Sequence, residues 1–233
     1  MVDYPTYVSQ LENMIAMDPT DVDFPTIIPA IINYAEMRIY RELDLISTII
    51  RDTTTTLTAS NQNAALSNTF VTIQGINLLT PVGTDPALAK RTPLTPVSKE
   101  VLYALWNDPT STGIPALYAM VDQWNALLGP SPDNTYTLEA YGTIRPTPLS
   151  ASNPETFLTT YLYDLFLAAS MIFVSGWMRN FGQQSSDPQM GMSWETQYNA
   201  LKASANVEEL RKKSWSDSWT SFSPTPLAQP PRG

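Results

Sequence analysis

The sequence predicts an α+β protein: a helical bundle formed by N- and C-terminal helices, with an inserted antiparallel β domain. Three observations predict it. Apolar side chains recur every three or four residues through about the first 45 positions and again beyond 150. Between these stretches, β-branched residues and polar–apolar alternation take over. The order helices, strands, helices then places both ends of the chain in one helical layer. The expected division is residues 1–45 and 150–214 as helical domain, 46–149 as inserted β-rich domain, and 215–233 as an extended C-terminal tail.

Taken in order, Tyr4, Tyr7, Val8, Leu11, Met14 and Ile15 give the first segment one apolar face. "DPTDVDFP" breaks it, and Asp23 is placed to cap a second helix with Pro25 in its first turn. That helix has a stripe of Ile28, Ile32, Ala35 and Ile39, with Glu36, Arg38, Arg41 and Glu42 mostly off it. Pro29 either kinks it or marks its start. "ISTIIRDTTTTLTA" and "TFVTIQGINLLTP" read as strands. "TPVSKEVLYALWND" reads as a short helix capped by Ser98, with Val101, Leu102 and Leu105 inward. "GIPALYAMVDQWNALL" forms a strand pair, and "NTYTLEAYGTI" another strand after the turn "GPSPDN". Asn153, Pro154 and Glu155 give a cap, a proline at the first position and an acid in the first turn of a helix running to about Phe181, ended by Gly182. The last helix covers roughly Pro188 to Lys213, with Trp194, Tyr198, Leu201 and Ala205 on one side. "WSDSWTSFSPTPLAQPPRG" has four prolines and reads as extended.

The composition excludes much chemistry. A chain of 233 residues buries about 70% of its unfolded surface without needing staples. It has no cysteine, so disulfides, thiolate metal sites and cysteine nucleophiles are out. It has no histidine, so serine triads and His-ligated zinc or iron sites are out as well. A net charge of −9 argues against a general nucleic-acid footprint. The N-terminus lacks the pattern of a signal peptide, and the most apolar run, residues 165–178, is too short to span a bilayer. No phosphate-cradling glycine motif is present.

Few acidic or basic groupings invite a catalytic or metal reading. Asp18, Asp21 and Asp23 have oxygen ligands for a divalent cation but lack the glycine and distal glutamate of a calcium loop, and capping is the simpler account. Asp164, early in an apolar helix, is a candidate buried acid without a second carboxylate at a useful spacing. "TTTT" is a polar β segment before it is a ligand ladder. The basic run "EELRKKS" reads first as a helix C-terminus favoured by its dipole. No catalytic, cofactor or metal residues are therefore assigned. The assigned candidates are for partner binding: Arg211, Lys212, Lys213, Trp215, Trp219 and Phe222, where basic and aromatic side chains crowd a segment unsuited to its own core.

Set out in order, "IIPAIINYAEMRIYREL", "TPVSKEVLYALWND", "GIPALYAMVDQWNALLGPSP", "TYTLEAYGTIRPTPL" and "NPETFLTTYLYDLFLAASM" resemble the head-to-tail adaptor (connector) proteins of short-tailed bacteriophages. In that family a "GIPxxY…P" strand pair precedes a further strand, a proline loop and a helix. The resemblance covers roughly residues 24–205, and its specificity lies in the order and spacing of the segments. It implies a structural virion protein assembled in the host cytoplasm. It implies a homo-oligomeric ring, usually of twelve copies, bound to the portal protein and joined to the tail nozzle or tail fibre proteins. Genomic DNA would pass through the channel without sequence-specific binding, and neither a membrane nor a cofactor is implied. The proline-rich end after residue 214 departs from the family pattern. Two other readings compete. A carbohydrate- or receptor-binding tail module would stack sugars on Tyr118, Trp124, Tyr136 and Tyr141. A hydrolase would need a carboxylate pair, and none stands out.

Overall fold

The computed structural model describes residues 2–15, 23–180 and 190–216. The chain opens with helices α1 (Tyr4–Met14) and α2 (Phe24–Glu42), followed by a 3₁₀ turn (Ile46–Thr48) and strands β1 (Ile49–Asp52), β2 (Asn63–Ala65), β3 (Phe70–Thr80), β4 (Lys90–Pro93) and β5 (Thr95–Pro96). Helix α3 (Lys99–Leu105) precedes β6 (Thr112–Gly113), β7 (Leu117–Met120), β8 (Asn125–Gly129), β9 (Ser131–Pro132) and β10 (Thr137–Ile144). Helices α4 (Phe157–Tyr161), α5 (Tyr163–Asn180) and α6 (Met190–Ser216) complete it. The protein is therefore α+β. Contacts along the backbone divide it into two units, residues 1–47 with 146–233 and residues 48–145.

In the helical unit α5 is the central element, packed against both α2 and α6. Its sequence is apolar nearly all round, as burial on several sides requires. Phe24 meets Trp177 and Tyr34 meets Phe173, so α2 and α5 run antiparallel. The expected α2 stripe of Ile28, Ile32, Ala35 and Ile39 is buried, joined by Ile31. Pro29 lies inside α2 without ending it. Tyr7 of α1 stacks on Phe166 at 4.6 Å and its hydroxyl shares a 2.6 Å hydrogen bond with Ser170. On α6, Tyr198 and Ala205 are buried, and Trp194 and Leu201 pack against the same core.

Several expectations about the helix ends are corrected. Asp23 occupies the cap position of α2 in a helical backbone conformation, so its side chain makes no capping hydrogen bond. Asn153 does not cap either; it serves the preceding loop, donating to the carbonyls of Thr147 and Pro148. Thr156 is the cap, in a reciprocal box with Thr159, and the helix breaks after Tyr161 before resuming at Tyr163. α6 is described from Met190 to Ser216, so the backbone of Trp215 is helical, and Pro188 lies outside the described residues. Phe181 and Gly182 lie outside the described residues.

In the β unit one four-stranded sheet is antiparallel throughout, in the order β1-β10-β3-β4. The other, β2-β8-β7-β5, has a parallel edge pair where β5 meets β7, and β6 with β9 makes a second parallel pair. Both four-stranded sheets contribute to one core: Ile76 and Leu78 from β3 and Leu138 from β10 meet Tyr118 of β7 and Leu128 of β8. Ala119 and Leu127 point the other way and are covered by Leu102 of α3. Ser98 caps α3 as expected, but only Leu102 of its three apolar residues is inward; Val101 is 46% exposed and Leu105 60%. The "TTTT" run is irregular, with Thr56 alone forming a bridge, to Thr137.

Gly142 fixes how β10 meets β3. A Cβ there would lie 2.1 Å from the carbonyl oxygen of Thr72, so no other residue fits where the register shifts.

Candidate functional site

The described part of the cluster expected to bind a partner stands at the C-terminal end of α6, and the structure gives it a setting that the sequence did not show. Beside it runs an open groove of about 880 Å³, all within the helical unit. Its apolar lining comes from Ile46, Phe157 and Tyr161, with Ser47 beside them. Phe157 and Tyr161 lie one turn apart on α4, rings 5.0 Å apart. Leu158 and Leu162, one position on, are buried, while Phe157 is half-buried against the edge of the same core and Tyr161 is 66% exposed. The aromatic pair at i and i+4, out of phase with the leucines, is the sequence signal that could have found this groove.

The charged wall comes from α6. Glu209 is buried and accepts from the backbone N–H of Ile46 at 3.0 Å, tying α6 to the segment after α2. Lys212 pairs with Glu208 at 2.7 Å and Glu209 at 2.8 Å, and its Nζ lies 5.4 Å above the Phe157 ring. Burial works against the charge on Lys212, but the hydrogen bonds it donates to the two glutamates outweigh it and hold the ammonium's pKa above its ordinary value. Lys213 pairs with Asp44. Arg211 is exposed at the groove, and among the described residues its guanidinium has no ion-pair partner. Of the three basic candidates, then, two are held in ion pairs and one faces outward. Trp219 and Phe222 lie outside the described residues.

The same flank of α6 runs on through a polar network. Arg38 of α2 forks onto both oxygens of Glu195, at 2.5 and 2.9 Å, and its guanidinium lies 4.2 Å over the Tyr198 ring. Glu42 accepts from Tyr198, Lys202 and Arg38. Burial raises its pKa, and these three bonds more than reverse that, leaving the carboxyl below its ordinary value. The ties join successive turns of α2 and α6 in the same order, so the two helices run parallel.

The remaining candidates are used internally or absent. Asp164 is exposed in the first turn of α5 and accepts from the N–H of Leu165, so it is not the buried acid expected. The buried acids are ones that periodicity missed. Glu36, expected off the apolar stripe, is 3% exposed and accepts from the backbone N–H of Leu149 at 3.0 Å. Its pKa is pushed up to about 7 by burial, only partly offset by that bond. Glu139 is buried on the outer face of the first sheet, bonded to Asn77 and held between Arg91 at 3.0 Å and Arg51 at 3.6 Å. A single polar letter in an alternating strand cannot reveal that its neighbours across the sheet carry the counter-charges. Asp18 and Asp21 lie outside the described residues, and no acidic group with metal-ligand geometry occurs among those described.

The four aromatics of the sugar-binding reading do not all reach the surface: Tyr118 and Tyr136 are buried in the β core, while Trp124 and Tyr141 are each 37% exposed. The Trp124 indole N–H donates to the carbonyl of Phe70, and Tyr141 lies over Gly75.

The sequence profile of a family described as SU10 adaptor protein matches residues 6–227. The chain belongs to this family and is a phage head-to-tail adaptor. As a structural adaptor of the virion neck, it interacts with other phage head and tail proteins. No curated protein matches the chain. Among the described residues no helix is long and apolar enough to cross a membrane.

Proposed function

We propose that the protein assembles as a closed ring, of twelve copies in the family's usual arrangement, between the portal and the tail nozzle or fibres. DNA passes through its central channel, and the protein itself performs no catalysis. The observation that carries this reading is the family match across nearly the whole chain. A ring of identical copies needs two different patches on each subunit. The helical unit has two candidates: the α4–α6 groove and a second concavity of about 620 Å³ bordered by Tyr34, Arg41 and Phe173 on α2 and α5. An acidic chain suits a channel that must not retain phosphate, because attraction would slow the passage of DNA.

In this reading Arg211, Lys212, Lys213, Trp215, Trp219 and Phe222 anchor the subunit to the portal, and assembly takes place in the host cytoplasm. Mixing the purified protein with its cognate portal and imaging the product by cryo-EM tests the reading. A ring seated on the portal is expected; a subunit that stays solitary beside the portal rejects it, and a basic lumen removes the argument from charge. Deleting residues 215–233 is expected to abolish portal binding with the circular-dichroism spectrum unchanged. Undiminished binding would reject the tail as anchor.

A further inference from the structure

We infer that the α4–α6 groove is covered by a second copy of the chain, and that Tyr161 is the knob of this contact. It enters the α2–α5 concavity of the next copy, with Glu208 beside it facing that copy's Arg41. The two concavities share no residue and both belong to the helical unit, so a contact joining one to the other is head-to-tail. Shape and apolar character agree. Tyr161 stands 66% exposed on α4, a large ring that gains by being covered. The α2–α5 concavity, of about 620 Å³, is bordered by the rings of Tyr34 and Phe173, tilted at 43° with centroids 5.1 Å apart. A phenol entering it meets aromatic faces and edges, the arrangement in which rings attract one another.

Charge selects the same pairing. On α2, Arg38 and Glu42 are taken up by one another and by Glu195 and Lys202. That leaves Arg41, exposed and without an ion-pair partner among the described residues, as the free charge of the α2–α5 concavity. On α6 the one ammonium of Lys212 is divided between two carboxylates, and the side chain of Glu208 is 52% exposed, so it can accept from a second cation. Head-to-tail, the guanidinium of one copy meets the half-satisfied carboxylate of the next. Two α2–α5 concavities face to face would instead set Arg41 against Arg41, which works against a two-fold pairing.

The inference rests on the ring reading and names the surfaces and side chains that make the ring's repeating contact.

The absence of cysteine from the chain gives a direct test. Ser47 lines the groove and Asn33 the α2–α5 concavity, and both are exposed. Both are replaced in the full-length protein (Ser47→Cys with Asn33→Cys), which is incubated with its cognate portal and a short bis-maleimide. A ladder of covalent dimers, trimers and larger species is expected, whereas the two single-cysteine variants mixed together should stop at dimers. Tyr161→Ser in the same background should lower cross-linking about tenfold or more, the effect of truncating an interface anchor. Arg41→Glu should lower it by about two- to fivefold, the worth of one exposed ion pair. Adding Glu208→Arg to Arg41→Glu should restore it to within about twofold of the parent. Dimers from Asn33→Cys alone would reveal a two-fold pairing and overturn the inference. A Tyr161→Ser variant with an unchanged circular-dichroism spectrum that cross-links like its parent would overturn it as well. Cryo-EM of the same mixtures reads the ring separately. A ring on the portal without a ladder overturns this contact and leaves the ring; a ladder with no ring on the portal leaves the contact and removes the ring.

Discussion

Glu36 offers the sharpest test of how the helical unit is held together. Its carboxyl is buried near Tyr7 and Tyr40, whose hydroxyls are raised in pKa first by burial and further by its charge, and it accepts a hydrogen bond from the backbone N–H of Leu149. Burial moves its pKa from 4.5 to about 7, so the folded state holds a proton that the unfolded chain gives up. The sign follows from linkage. Where the native state binds more protons, stability falls as pH rises. The contribution is fully present below the unfolded value of 4.5, is lost through the folded value near 7, and is flat above it. A shift of this size corresponds to about 3 kcal/mol in full, most of it lost between pH 5 and 8. Glu36→Gln keeps an oxygen to accept from Leu149 and has no charge to desolvate. Urea unfolding of both proteins at pH 5, 6, 7 and 8 should give nearly equal stability at pH 5 and a variant more stable by about 2–3 kcal/mol at pH 8. A difference that stays constant across this range would refute the assignment of a buried, cation-free carboxyl; a variant losing ground as pH rises would reverse its sign.

Three further outcomes follow from the packing. Gly142→Ala should cost about 3 kcal/mol or more, because the new Cβ meets the backbone of Thr72 and cannot be moved aside; thermal unfolding would read it. Tyr7→Phe removes the hydroxyl shared with Ser170 inside the core and should cost about 1–2 kcal/mol in denaturant, with ring stacking on Phe166 retained. Thr156→Ala breaks the capping box of α4 and should cost about 1 kcal/mol, with faster amide exchange through residues 157–161; unchanged exchange there would contradict the cap.

The elements themselves were largely legible. The α2 stripe and the α6 face appear where periodicity put them, because a three- to four-residue repeat of large apolar groups has few other uses. The strand pair around residues 117–129 and the long strand at 137–144 were likewise visible from alternation and turn residues. What could not be read was which short polar residue would win at a helix start. Asn153, Thr156 and Asp23 all have capping side chains, and the choice falls to the loop, where Asn153 finds two carbonyls to satisfy. Nor could the buried acids be read. Glu36 and Glu139 look like surface letters until the backbone of Leu149 or the side chains of Arg51 and Arg91 are brought beside them. The candidate site was half legible: its basic residues stood out, while the aromatic floor lay far back along the chain on α4 and needed the fold to bring it to α6.

The pairing of β1 with β10 has a consequence for how such a chain can diversify. Ile49 and Thr143 are partners in the ladder, so the polypeptide enters and leaves the β unit at neighbouring positions about 5 Å apart. A module whose two ends lie side by side can be lengthened, trimmed or exchanged for another through a short splice, without re-threading the helices that flank it in sequence. A chimera joined at residues 47 and 146 is the corresponding laboratory graft.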